Sequence, residues 1–352
     1  MNNRKILSIL TIFSALTIFY SFSIKENSNK QDDPEITKDE IYNHIKYLSS
    51  DDLEGRFPGS KGDSLTQNYI IKEFKKYNLT PAGENGYLQP FEMVTHMEIK
   101  GNNEFQIISD NIATSFKVDS DFMPLGFSEK GKIEGELIFM GYGISAPEQN
   151  YDDYKDKNGN DIDIKGKILV MMRYSPGENE PHNNPFEKYE PARYKTLSAR
   201  DGQAAGIIFI TGPQSGEDVL MNLKFDNVLQ NAGLPIINCK REIIEKIFTE
   251  NNLDLNLIQK EIDSFKVSNS FALNNSMAII ETDVEPVRVT TNNEIGFIEG
   301  NDPVLKNEVI VIGAHKDHLG YGLYGSLYRG NDKQIHNGAD DNASGIAGVI
   351  EI

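Results

Sequence analysis

The sequence predicts an α/β protein with a β-rich middle section, and three observations predict it. EVIVIGAH at 308–315 is a near-continuous aliphatic run, the pattern of a strand buried on both faces. A loop over 319–342 follows, and residues 343–352 open a helix in which Gly345, Ala347 and Gly348 permit close approach to a sheet. In the middle of the chain, GELIFMGYGI (135–144), GKILVMMR (166–173), AAGIIFIT (204–211) and GLPIINC (233–239) are short apolar runs between turn-forming clusters. In α/β sheets, sites form at the carboxyl ends of the strands, so residues around 315 are the first place to look for chemistry.

The N-terminal elements are legible in order. Thr37-x-x-Glu40 is a capping box, and Ile41, His44, Ile45 and Leu48 follow at helical spacing. A second helix is expected over 62–79 from Leu65, Tyr69, Ile70, Phe74 and Tyr77, with LEGRFPGSKG (53–62) as a turn-rich loop between the two. Phe91, Met93, Thr95, Met97 and Ile99 alternate with polar residues, which predicts a half-buried strand. Residues 241–264 predict one or two helices. DYKDKNGNDIDIK (153–165) is a solvated loop, because aligning Gly159 as the sixth position of a calcium loop puts Tyr154 and Lys165 where carboxylates are required.

A net charge of −18 excludes an electrostatic nucleic-acid binder, which needs clustered Lys and Arg. The first 24 residues combine a basic start, MNNRK, with an uncharged run from Ile6 to Ile24; this resembles a secretory signal and is also long enough for an N-terminal membrane anchor. Export to the periplasm, the cell exterior or a membrane-anchored position is therefore expected, with 25–36 as a linker. Cys239 stands alone, so no intrachain disulfide forms.

In an extended segment, residues i and i+2 share a face, so His315 and Asp317 can point together while Lys316 turns away. A histidine ligand usually donates its second ring N–H to a carboxylate, which fixes the tautomer and raises ligand basicity. Asp340–Asp341, in the glycine-flanked GADDNASG (338–345), supplies hard anionic oxygens. Mixed imidazole and carboxylate ligation suits zinc. Taken separately, each motif has a plainer explanation: a structural hydrogen bond for His-x-Asp, and a turn with a helix cap for the second.

Together, GAHKDHLG and IHNGADDNASG resemble the M28-type zinc metallopeptidases, the aminopeptidase group. HIKYLSSDDLEGRFPGSKG and YLQPF resemble the start of that peptidase domain. GYGISAPE, DIKGKILV and GQAAGIIFI are similar to the protease-associated (PA) domain often inserted into it, and NNEIGFIEGNDPVLKNEVIVIGAH matches the return to the catalytic core. The resemblance implies a zinc-exopeptidase-like α/β sheet domain over 37–114 and 289–352, with the inserted β-rich domain at 115–288. It implies that His315 is a ligand to one of two zinc ions, that Asp341 bridges both, that Asp317 orients His315, and that the Asp341–Asn342 peptide bond is cis. Asp340 shapes the loop, and His318 and His336 are not assigned as ligands.

The family's Glu-Glu pair, a further acidic ligand and a final histidine are expected downstream of Ile352. The general base therefore lies beyond Ile352, Glu351 does not replace it, and the 352-residue chain is expected to hold an incomplete core, to leave 308–314 poorly covered and prone to aggregate, and to be inactive alone. The implied activity is zinc-dependent hydrolysis near the N-terminus of peptides, with no nucleic-acid partner and membrane contact only through an N-terminal anchor. The same scaffold can serve a carboxypeptidase or a glutaminyl cyclase, and a PA domain can serve a non-catalytic binding protein.

Overall fold

The computed structural model describes residues 35–177, 184–226, 228–328 and 332–352; the N-terminal segment expected as a signal or anchor lies outside them. Among the described residues, no helix is long and apolar enough to cross a membrane. The chain divides into two compact units. One holds the described residues of 1–80, 297–322 and 329–352, the other Pro81–Gly296 with Leu323–Tyr328.

The first unit opens with helix α1 (Lys38–Leu48), started by the expected capping box: the Thr37 side chain accepts from Glu40 N, and the Glu40 carboxylate accepts from Thr37 N. A tight turn, Asp51–Arg56, follows, in which Glu54, Gly55 and Arg56 all have left-handed φ angles. Helix α2 (Lys61–Lys76) starts at Ser60, whose hydroxyl accepts from Asp63 N.

The second unit is built around ten described strands of three residues or more. The long strands β1 (Leu88–Ile99) and β10 (Val284–Glu294) form an antiparallel ribbon with Leu88 opposite Glu294 and Ile99 opposite Val284. Between them in sequence lie β2 (Glu104–Ser109), β3 (Ile112–Phe116), β4 (Phe122–Pro124), β5 (Gly131–Phe139), β6 (Ile168–Met172), β7 (Gly206–Ile210), β8 (Ile236–Cys239) and β9 (Phe271–Thr282). These eight make one sheet in the order β3-β2-β9-β5-β6-β7-β8-β4, so the texture change read at 115 falls inside the sheet. Strands β5 to β8 are parallel and the flanking pairs antiparallel.

Parallel strands need crossovers and cover on both faces, and this explains the unbroken apolar runs. Ile168, Val170 and Met172 of β6 enter one core with Ile243, Phe248, Ile258 and Ile262 of helices α4 (Arg241–Glu250) and α5 (Leu255–Phe265). Leu169 and Met171 enter the opposite core with Ala199 of α3 (Ala192–Asp201). The section read as β-rich thus carries most of this sheet, with the helices expected over 241–264 and the further helix α3 packed on it.

A polar network is sealed inside this unit. The fully buried Asp153 carboxylate accepts from Tyr142 N and Ile144 N, each at 3.0 Å, and from the Tyr151 hydroxyl at 2.7 Å. Nearby, the buried Lys195 ammonium donates to Met172 O and Tyr174 O. Burial pushes the Asp153 carboxyl up to about 7, against the opposing pull of its hydrogen bonds and of Lys195.

Back in the first unit, the run 308–314, read as a strand of the kind buried on both faces but expected to be poorly covered in this chain, is unpaired, and Val309, Ile310 and Val311 are 74%, 89% and 87% exposed. The physical reason is that no described strand hydrogen-bonds to it, so its pattern has no sheet to enter. An exposed apolar strand-former is an aggregation site. Ile310→Lys should therefore leave the unfolding free energy within about 0.5 kcal/mol of the parent while reducing self-association, as read by light scattering.

The unit closes with a left-handed Gly338, an irregular turn over Ala339–Ala343 containing a cis Asp341–Asn342 peptide bond, and helix α6 (Ser344–Glu351).

Candidate metal centre

Three backbone segments cross in the first unit, and glycines let them meet. Gly320 N donates to Gly55 O, His336 N to Gly320 O, and His318 N to Arg56 O. A Cβ on Gly55 would stand 2.6 Å from both Gly320 O and His336 O, so no other residue fits there. Asn337 Nδ2 adds bonds to Ser49 O and Asp51 Oδ1, at 2.9 and 2.8 Å. The crossing brings the His-x-Asp segment beside the Asp-Asp turn.

His315 Nε2 lies 3.0 Å from Asp341 Oδ1. The other ring nitrogen, Nδ1, lies 3.2 Å from the backbone oxygen of Asp317 and 3.6 Å from its carboxylate Oδ1. Asp317 is thus beside the histidine as expected, with its main chain nearer the ring than its side chain. Lys316 turns the opposite way: its ammonium sits 3.0 Å from Asp63 Oδ1, largely out of solvent. That carboxylate also accepts from Gly59 N and stands in the first turn of α2, where the helix dipole favours negative charge. The alternation His315 out, Lys316 in, Asp317 out is the strand periodicity surviving without a sheet.

The donor set fits a zinc ion in part. Two ligands about 2.0–2.1 Å from a tetrahedral zinc stand roughly 3.3 Å apart, close to the His315–Asp341 separation. Both nitrogens of His315 face oxygen atoms, and a cation at Nε2 suits that arrangement. The pair is accessible, with the side chains of His315 and Asp341 54% and 69% exposed. Among the described residues, no group of three or more His, Cys, Asp or Glu side chains is placed to hold a metal, so these contribute two donors. His318 Nδ1 is 3.9 Å from Asp341 Oδ2, and burial lowers the affinity of this ring for a proton while Asp341 pulls the other way. His336 packs edge-on to His318 with ring centres 6.3 Å apart. Asp340 shapes the turn through its backbone oxygen, which accepts from Ser344 Oγ.

Two features escaped the sequence reading. Arg56 is fully buried and donates to four backbone carbonyls, those of Leu48, Lys316, Asn337 and Gly338. Burial lowers its pKa, and the negative charges of Asp317 and Asp341 oppose that fall. A lone arginine in a loop gives no sequence signal for partners some 260–282 positions away; its only mark is the preceding glycine. The second feature is Glu351, whose buried carboxylate takes hydrogen bonds from the His44 ring and the Tyr77 hydroxyl. It pins α6 to α1 and to Tyr77 just past the end of α2, which is a structural duty.

Comparison with curated proteins found no match. Among solved structures, the chain is similar to an aminopeptidase from Aneurinibacillus sp. strain AM-1, at 18% identity and a TM-score of 0.46, covering 89% of this chain and 57% of that one. A zinc aminopeptidase from Bacillus subtilis gives 16% identity and a TM-score of 0.39, covering 89% and 56%. A peptidase M28 precursor from Shewanella amazonensis SB2B gives 14% and 0.36, covering 88% and 61%. The chain therefore spans little more than half the length of the first two, and scores this low decide nothing about chemistry. A family model does match part of the sequence, over residues 293–352. That model describes peptidase family M28, and His315, Asp317 and Asp341 lie within the matched residues.

Proposed function

We propose that this chain carries the first two ligands of the binuclear zinc site of a peptidase that removes residues from the N-terminus of peptides. The observation that supports it best is the approach of His315 Nε2 to Asp341 Oδ1 within a segment matched to peptidase family M28. In this reading His315 would hold one ion and Asp341 would be shared between the two, while Asp317 fixes the ring through Nδ1 and Lys316 anchors the segment on Asp63. When bound, zinc would supply Lewis acidity and an acidified water for hydrolysis. The protein's own work is to present an imidazole and a carboxylate at a spacing one cation can bridge. Glu351 is not proposed as the general base, because it is held by His44 and Tyr77.

The reading extends to two further proposals. Residues 115–288 act as a PA-like accessory domain, and the protein is exported by its N-terminal segment. Peptides or proteins are the proposed substrates.

Zinc binding tests the centre directly. Calorimetric titration of the full chain should show zinc binding that His315→Ala and Asp341→Asn each weaken by at least about tenfold, the usual effect of losing a ligand contact of ~1.4 kcal/mol or more. Unchanged affinity in His315→Ala would remove the basis of the reading.

A further inference from the structure

The guanidinium of Arg56 touches both halves of the candidate centre without touching either ligand. Nε donates to Lys316 O at 2.8 Å, between His315 and Asp317 in the chain. Nη1 and Nη2 donate to Asn337 O at 2.7 Å and Gly338 O at 2.9 Å, immediately before the turn that presents Asp341. Nη1 also bonds Leu48 O at the end of α1. A guanidinium is planar, with donors at fixed angles, so carbonyls bound to its different edges are held at a set separation. A lysine ammonium would keep the charge but not that geometry. The residue is entirely out of solvent, and its four hydrogen bonds to described residues all end on carbonyl oxygens. The nearby Asp317 and Asp341 stabilise its charge from a distance.

We propose that Arg56 is a positioning residue that sets the span between His315 and Asp341, and through it the zinc affinity of the pair. The affinity part of this rests on the zinc reading above; the span part does not. Arg56 reaches the ligands only through backbone: Lys316 O on one side, Asn337 O and Gly338 O on the other.

The test separates the two. Histidine-ring nitrogen resonances are recorded on the ¹⁵N-labelled, metal-free full chain for the parent, Asp341→Asn, Arg56→Lys and Arg56→Ala, followed by titration with zinc chloride. His44, held between Tyr69 and Glu351, serves as an internal monitor of the fold. The expected result is that both Arg56 variants move the His315 Nε2 resonance in the direction Asp341→Asn moves it, with His44 unmoved. Zinc affinity should fall at least tenfold, and added guanidinium should restore it in Arg56→Ala. Unmoved His315 signals and parental zinc affinity in both variants would overturn the proposal. So would loss of the His44 signals in Arg56→Lys as well as Arg56→Ala, since Arg56 would then be a folding residue without a distinct positioning role. If the parent's zinc binding is indifferent to His315→Ala, the zinc reading fails, and the His315 resonance alone still decides whether Arg56 sets the span.

Discussion

Gly338→Ala is expected to dismantle the turn that presents Asp341. Gly338 has φ 60° and ψ 52°, the left-handed conformation in which a Cβ costs roughly 1–2 kcal/mol. Here the Cβ would also stand 2.3 Å from Asp341 O, 2.6 Å from His318 Cδ2 and 2.7 Å from Arg56 Nη2. The first of these is backbone and the other two belong to side chains packed in place, so the strain cannot relax into solvent. Adding an overpacking cost of about 1–3 kcal/mol gives a total of about 2–5 kcal/mol, enough to expel the turn from its seat. Zinc titration and hydrogen exchange over 336–343 measure the two consequences. Gly348→Ala, where an added Cβ meets nothing, is the matched control.

Lys195→Met is expected to destabilise the second unit by about 2–3 kcal/mol, because a buried carbonyl left without its donor costs roughly 1–3 kcal/mol. The substitution preserves length and apolar bulk, so the loss reports the ammonium alone. Met172 O and Tyr174 O lose their donor, and Asp153 loses a cation that pulls its pKa down.

The pH dependence distinguishes this from a packing defect. Asp153 titrates near 7 when folded against an ordinary value of 3.8, so the folded state binds more protons between those limits. Stability contributed by this group is therefore greatest below about pH 4, falls as pH rises, and levels off above about 7, with a slope approaching ~1.4 kcal/mol per pH unit. Lys195→Met should prolong the fall beyond pH 7, and Asp153→Asn should remove the slope. Urea unfolding across pH 4–9 measures both. Cys239, buried in β8 with its thiol pushed well up by desolvation, gives an independent readout, because it reacts with thiol reagents only when the unit opens.

The sequence was most informative where a local rule sufficed. Thr37 and Glu40 mark the start of α1 because a capping box is written in four adjacent residues. The runs at 135–144, 166–173, 204–211 and 233–239 all contain strands, but only their parallel pairing explains why they do not alternate. The placement of His315 with Asp317 on one side and Lys316 on the other followed from a two-residue period. The run 308–314 has the strongest strand pattern of all, yet it has no neighbour among the described strands; pattern alone cannot supply one. Arg56 and Glu351 were illegible for the opposite reason. Leu48 apart, the partners that give them meaning lie hundreds of residues away, and nothing near either of them in the sequence announces those partners.

The ribbon of β1 and β10 has a consequence for how the crossing at Gly55 can assemble. Leu88 faces Glu294, and beyond that pair Ile295 N donates to Tyr87 O while Ala82 N donates to Ile295 O, so the chain leaves the second unit beside the place where it entered. Once this zipper is closed, the roughly two hundred residues between its ends no longer count as a free loop in the entropy of closing Arg56 onto Lys316. Closing Arg56 onto Lys316 therefore costs less entropy once the seam is formed, and the contacts of longest sequence separation become, in effect, short-range ones.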